Sequence, residues 1–207
     1  MTATAESPST TRAGAGPRTG GLAWLYVIGG AIGLGASFAL VLEKLSKLAN
    51  PGYVPSCSMN PIISCGSVMD SAQAGLFGFP NPLIGVAAFP VVMTAGGALL
   101  GRFEAPRWFW AALQVATTLA VIFIHWLIFE SLYHIGALCP YCMIVWAVTI
   151  PIFWYTTLHN LRRSRAAAGG SGQPALARFH SLVLVVWYLV IVGLILQAFW
   201  NFWSSLL

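Results

Sequence analysis

An all-α integral membrane protein is predicted for this chain: a four-helix transmembrane bundle, a fifth peripheral transmembrane helix, and an extracytoplasmic loop that caps the bundle. Three observations predict it. Hydrophobic residues make up 58% of the chain and charged residues only 7%, where a soluble domain carries roughly 25% charged residues. Five apolar stretches, at about 21–42, 82–101, 108–131, 139–158 and 181–203, each match the roughly 20 helical residues that cross a hydrocarbon core about 30 Å thick. All four cysteines fall where the chain leaves these stretches: Cys57 and Cys65 follow the first, and Cys139 and Cys142 open the fourth.

Taken in order, residues 1–20 are rich in Ser, Thr, Ala, Gly and Pro and are predicted to be a disordered tail. The first apolar segment is too long for a signal peptide, and no small-residue cleavage pattern follows it. It carries Gly29, Gly30, Gly33 and Gly35, small residues that let helices approach closely in lipid. Its end, from Glu43 to Lys47, is charged and leaves the membrane. The loop over residues 45–81 contains Pro51, Gly52, Pro55 and Pro61. A short interfacial helix is predicted from about Ser67 to Leu76, in a loop mobile enough to shuttle between partners. A loop this long is usually functional, and it reads as a lid on the bundle mouth. Pro82 marks the start of segment two, where its missing N–H costs nothing. Short turns at Gly101–Pro106 and Tyr133–Leu138 make segments two, three and four antiparallel neighbours. Residues 159–180 read as a basic cytoplasmic linker, flexible around Gly169–Gly172, and residues 181–207 as the fifth helix, with Trp200 and Trp203 as interfacial anchors.

The formal charge of +5 is no nucleic-acid signature, because its basic residues flank the apolar segments. Arg12, Arg18, Arg102, Arg107, Arg162, Arg163, Arg165 and Arg178 fall on one side, and only Lys44 and Lys47 on the other. The positive-inside rule then places the N-terminus in the cytoplasm and both cysteine pairs and the C-terminus outside. That is the side where disulfides form and persist.

Cys139-Pro140-Tyr141-Cys142 is a C-x-x-C dithiol at a helix start. Pro140 suits the first turn. The partial positive charge of a helix N-terminus favours a thiolate, which makes Cys139 the exchange-competent sulfur. Cys142 lies about 4.5 Å deeper at 1.5 Å rise per residue, where a lipid-soluble oxidant meets it first. A structural disulfide and half of a metal site are the competing readings. Zinc fits poorly, because seven residues separate Cys57 from Cys65, more than a tight ligand pair has. A haem attachment motif needs His where Met143 stands. No metal is expected. Read alone, Cys57 and Cys65 are as consistent with a plain loop staple as with a redox pair.

Taken together, these residues resemble the vitamin K epoxide reductase family. The resemblance rests on Cys-x7-Cys in the first outer loop, Asn81 opening segment two with Gly85 beyond it, and C-x-x-C at the head of the fourth helix. The runs Asn60–Met69 and Leu76–Gly85 resemble its bacterial, actinobacterial-type branch. The resemblance covers about residues 20–158, so that 21–158 is the expected catalytic bundle. It implies a multi-pass protein of the bacterial plasma membrane that oxidises a DsbA-like thioredoxin-fold partner and reduces a quinone, menaquinone or ubiquinone. It further implies that Cys57 and Cys65 shuttle electrons to the active-site pair Cys139 and Cys142, and that Ser71 and Asn81 contact the quinone. Phe77, Phe79, Leu83, Trp146 and the inner face of segment three are expected to wall the pocket. Some bacterial members carry a fused thioredoxin domain after segment five; this sequence ends at Leu207, and a separate partner is expected. Vertebrate members have Tyr where this chain has Trp146.

Other polar residues have plainer expectations. His125, within segment three, is expected to be neutral and satisfied by a neighbouring helix. Glu130 and His134 are spaced to pair. Asp70 either tunes the loop cysteines or solvates the loop. The alternatives to the electron-transfer reading are a membrane scaffold with two structural disulfides, and a reductase of vitamin K epoxide.

Overall fold

The computed structural model describes residues 20–169 and 178–204. The expected N-terminal tail, the glycine-rich part of the linker and the Trp203 side chain lie outside the described residues. Five helices are long and apolar enough to cross a membrane, and among the described residues there is no strand. They are α1 (Gly20–Ala49), α3 (Pro82–Leu100), α4 (Arg107–Glu130), α5 (Pro140–Ala167) and α6 (His180–Ala198). A short helix α2 (Cys65–Asp70) and a 3-10 turn (Ala72–Gly75) occupy the loop after α1, and α7 (Trp200–Ser204) is the last element of the described residues. The protein is an all-α membrane protein.

The first four spans form an open arc rather than a closed square. α1 packs against both α3 and α5, and α5 against α4, while α3 and α4 share no extended contact. The small residues of α1 and α3 set this order. A Cβ on Gly33 would sit 2.3 Å from the Phe89 ring, and one on Gly85 would sit 2.2 Å from the Ser37 hydroxyl. A Cβ on Gly96 would meet the Ala23 carbonyl oxygen at 2.8 Å. In lipid, where apolar area does not drive helices together, such close approach is what holds them. Polar side chains add to it. Tyr26 bonds Thr156 between α1 and α5. Gln114 on α4 donates to Thr157 at 2.9 Å and accepts from Asn160 at 2.9 Å, both on α5. Each such bond contributes about 0.6 kcal/mol in membrane bundles.

α6 lies against the outer side of α4 and α5 and keeps most of its surface toward lipid. The Trp187 indole donates to His125 Nε2 at 2.9 Å, and His125 Nδ1 bonds the Val121 carbonyl at 2.8 Å. His125 is thus the neutral tautomer, satisfied by the fifth span. Tyr188 donates to the Ala147 carbonyl at 2.7 Å. The fifth helix is peripheral, as the sequence implied, but fastened.

The boundaries differ from the expected ones in three places. α1 and α5 run on as helix past the apolar stretch, to Ala49 and Ala167, because nothing in their polar ends breaks the backbone pattern. α4 continues as one wide turn over Ser131–Ile135 and stops at Gly136, whose φ of 66° is left-handed. The single loop helix expected over 67–76 is two pieces, because Ser71 adopts ψ 147° and breaks the helix. The neighbouring glycines Gly96 and Gly97 separate packing from propensity: Gly97 has open space around it. Gly96→Ala is expected to lower stability in detergent by about 1–3 kcal/mol and Gly97→Ala to leave it equal or higher, read by the thermal unfolding midpoint of each.

Candidate active site

The site lies at the end of the bundle where α1 finishes and α5 begins. Its first element is the loop that holds Cys57 and Cys65, which are joined as a disulfide. From Asn60 to Ser64 the loop is held by hydrogen bonds, and for local reasons. The Asn60 carboxamide oxygen accepts from the backbone N–H of Ile62 and Ile63, at 3.0 and 2.7 Å, closing a tight turn around Pro61. Ser64 caps α2 by accepting from Ser67 N–H. The chain between them pairs with Leu138: Ser64 N–H donates to the Leu138 carbonyl at 2.9 Å, and Leu138 N–H donates to the Ile62 carbonyl at 2.7 Å. This isolated parallel bridge, Ile63 with Leu138, lies two residues before Cys65, the first position of α2, and one residue before Cys139, the N-cap of α5.

The consequence is contact between the two pairs. Cys65 Sγ and Cys139 Sγ are 3.2 Å apart, and both residues are essentially buried. Leu40, Met69, Val68 and Tyr141 enclose them. Cys139 and Cys142 are free thiols. The Cys142 thiol donates to Cys139 and, with the backbone N–H groups of Cys142 and Tyr141, holds the Cys139 thiol below its ordinary pKa against the opposing effect of burial.

α1 grips the cap from the other side. Lys44 Nζ donates to the Met69 carbonyl at 2.8 Å, and Lys47 pairs with Asp70 and reaches the Gly66 carbonyl. Glu43 accepts from Tyr53 and Ser56; that bond holds the Tyr53 phenol above its ordinary pKa. Asp70 thus anchors the cap to α1. The Lys44 ammonium at the Met69 carbonyl also complements the dipole at the C-terminal end of α2, which the Asp70 carboxylate by itself opposes.

Beneath the cap is a cavity of about 390 Å³ inside the arc of α1, α3, α4 and α5. Its walls are almost wholly apolar, and Cys139 and Cys142 lie on its lining together with Ser71, Gln73, Asn81 and Trp146. The Asn81 amide donates to the Gln73 carbonyl at 2.6 Å. Its oxygen Oδ1 is the one buried side-chain polar atom without a partner among the described residues. A flat molecule with oxygen at its edge fits such a chamber: apolar walls cover its faces, and Asn81 offers an acceptor and a second N–H. Ser71 is less free, because its hydroxyl already donates to the Val68 carbonyl at 2.7 Å; only its oxygen lone pairs remain.

Three of the expected wall residues are elsewhere. Phe77, Phe79 and Leu83 are 40–54% exposed and do not line the cavity. Gly78 has φ 80°, which turns the chain so that the two rings stack on each other at 6.0 Å and Phe77 lies over Phe123 at 5.8 Å. On α3 the cavity face is carried by Ile84, Gly85 and Ala88, and Leu83 falls on another. Phe77 lies outside the cavity against Phe123, and Phe123 lines it from α4 together with Phe89 and Trp146; the inner face of segment three was expected to contribute there. Sequence reasoning missed Gln73 and Ser131. Nothing in their local pattern separates them from other loop and helix-end residues, and Gln73 reaches the cavity only because the cap folds back on α4.

The sequence model for the vitamin K epoxide reductase family matches residues 24–157. The chain belongs to that family. No curated protein matches it in sequence. The matched region is the four-span arc with its cap, and both cysteine pairs and the cavity lie within it. Membership makes the protein a membrane oxidoreductase of disulfides or quinones, in a family that uses quinone. Among the described residues no cluster of His, Cys, Asp and Glu is placed to hold a metal ion.

Because Cys142 supplies the leading stabilisation of the Cys139 thiolate, Cys142→Ala is expected to raise the pH at which Cys139 becomes reactive. Mass spectrometry of Cys139 alkylation against pH, in fully reduced protein, reads the midpoint. An unchanged midpoint would leave only the helix end and backbone amides as the cause.

Proposed function

We propose that this family member takes an electron pair from the dithiol of an extracytoplasmic DsbA-like thioredoxin-fold protein and passes it, through Cys57–Cys65 and then Cys139–Cys142, to a membrane quinone. The observation that carries the reading is the 3.2 Å contact between Cys65 and Cys139. A scaffold with two inert disulfides has no reason to place a free thiol against a disulfide sulfur inside a shared apolar pocket. The arginines at the far end of the bundle support an outward-facing cysteine end, and the bacterial plasma membrane is the proposed site.

The steps follow from which sulfur touches which. The partner's thiolate attacks the loop disulfide at Cys57, since Cys65 is turned inward onto Cys139; the 55–60 segment shifts to admit it, because Cys57 is only 6% exposed. The partner leaves oxidised, and both loop thiols are reduced. The Cys65 thiolate then attacks Cys139 in the oxidised helix pair, forming a Cys65–Cys139 disulfide and releasing Cys142 as a thiolate. Cys57 resolves that bond by attacking Cys65 and releasing Cys139. The arrangement seen here, a closed loop pair beside a reduced helix pair, is the product of this sequence. The bound quinone accepts two electrons and two protons from the helix dithiol. Asn81 and Gln73 hold its oxygen, and the apolar walls and the cap exclude water. About 30 mV separates a tenfold change in such two-electron equilibria, so the hydrogen bonds on Cys139 are large enough to steer direction.

The test is purified protein in lipid with a reduced thioredoxin-fold protein and menadione. Wild-type protein is expected to consume both in equal amounts. Cys142→Ala is expected to abolish turnover, Cys57→Ala to accumulate the Cys65–Cys139 disulfide that Cys57 otherwise resolves, and a partner lacking its second cysteine to be trapped on Cys57 of the wild-type protein. Continued oxidation of the partner by Cys142→Ala protein would overturn the proposal. Asn81→Ala is expected to raise the KM for menadione by about tenfold, near the 1–1.5 kcal/mol of one buried hydrogen bond, with loop-to-helix exchange unaffected.

A further inference from the structure

At the mouth of the cavity, Glu130 stands at the end of α4 with its side chain only 11% exposed. Its Oε2 accepts from two directions. His134 Nδ1 lies 3.0 Å away on the following wide turn, with its side chain 56% exposed to the outer water. Gln73 Nε2 donates from the cap at 3.0 Å. Gln73 in turn accepts from Asn81 through its backbone carbonyl, and Gln73, Asn81 and Ser131, next in sequence to Glu130, all line the cavity. Polar groups therefore lead from an exposed imidazole, through a nearly buried carboxylate and the Gln73 side chain, to Asn81 and its unpartnered oxygen, with one step between the Gln73 side chain and the Gln73 backbone. They cross the α4 side of the rim, opposite the lysines that α1 contributes. The four-residue spacing brings His134 over Glu130, and the wide turn over Ser131–Ile135 in which His134 lies is of a kind that recurs at functional sites. The other charged groups at this end are engaged. Lys47 pairs with Asp70, Lys44 holds the Met69 carbonyl, and Glu43 holds Tyr53 and Ser56. The remaining titratable groups near the cavity are the thiols of Cys139 and Cys142; Tyr133, on the same turn as His134, is half exposed.

We propose that Glu130 and His134 form a proton port, passing a proton from the outer water to the quinone site as the helix dithiol is oxidised. This rests on the quinone-reducing function proposed above. The balance calls for such a port. When Cys139 reacts as a thiolate, its proton has already gone to water. The thiolate of Cys139, the thiol of Cys142, one quinone and one proton give one disulfide and one hydroquinone. The electron pair comes from the two sulfurs, one proton comes from Cys142, and the other must enter from outside. His134 collects it, Glu130 carries it past the apolar rim, and Ser131 and Asn81 lie at the inner end. Glu130 is a positioning and proton-handling residue; it does not touch the sulfurs.

Two measurements test this, the first without quinone. Infrared titration of the reduced, quinone-free protein is expected to show a carboxyl band that follows bulk pH, is lost in Glu130→Gln, and moves its midpoint in His134→Gln. In single-turnover reduction of menadione by prereduced protein, Glu130→Gln is expected to slow hydroquinone formation at least tenfold. Added formate is expected to restore much of that rate, while exchange between Cys65 and Cys139 stays at the wild-type rate. Weak-acid rescue is the readout that a merely structural Glu130 would not give. Glu130→Gln protein reducing menadione at the wild-type rate, a slowing that formate does not relieve, or the absence of a titrating Glu130 band would overturn the port. Wild-type protein that reduces no menadione would instead overturn the quinone-reducing function itself, and the port with it.

Discussion

One small piece of backbone pairing decides the chemistry of this protein. Ser64 and Ile62 hydrogen-bond to Leu138 across a gap of more than seventy residues, and on each side of that bridge a cysteine follows within two residues. Because the bridge is parallel, Cys65 and Cys139 emerge side by side, and their sulfurs touch. The bridge also satisfies backbone groups that would otherwise be buried without partners at the membrane surface, where such groups are costly. Placement of the redox pairs and satisfaction of the backbone are therefore the same event.

The bundle serves that placement. Close packing through Gly30, Gly33, Gly85 and Gly96 draws α1 and α3 together, and the polar ladder from Trp110 to Asn160 ties α4 to α5. Between them the arc stays open, and the interior it leaves is an apolar chamber that reaches the helix dithiol. The cap closes the chamber from the aqueous side through contacts to α1 and α4, using Lys44, Lys47 and Gln73. Charge is spent only at that rim. Deeper in the membrane, polar side chains are neutral and paired, as His125 is with Trp187. The fifth span adds this fastening to the back of α4 and α5 without entering the chamber.

Much of this was legible in the residues. Five spans follow from run length and the scarcity of charge, and the place of Cys139 at a helix start follows from Pro140 behind it. The Glu130–His134 pair follows from their four-residue spacing, and it forms as expected. The neutral, satisfied state of His125 was also the expected one. Other features were out of reach of local pattern. Phe77, Phe79 and Leu83 read as pocket walls because they are apolar and adjacent to Asn81, yet the left-handed Gly78 and the register of α3 turn them away. Gln73 carries no motif and enters the cavity rim only because the cap folds onto α4. The loop that seemed free to travel is held by hydrogen bonds from Asn60 to Ser64.

The sequence by itself determined the solvent of each segment and the chemistry available: hydropathy separates lipid from water along the chain, and four cysteines in two pairs leave few reactions open. The tertiary structure alone decided which sulfur meets which, where the chamber lies and which polar groups reach it. Those are facts of distance between residues far apart in sequence. Helix packing and a single backbone bridge set such distances, and no local periodicity encodes them.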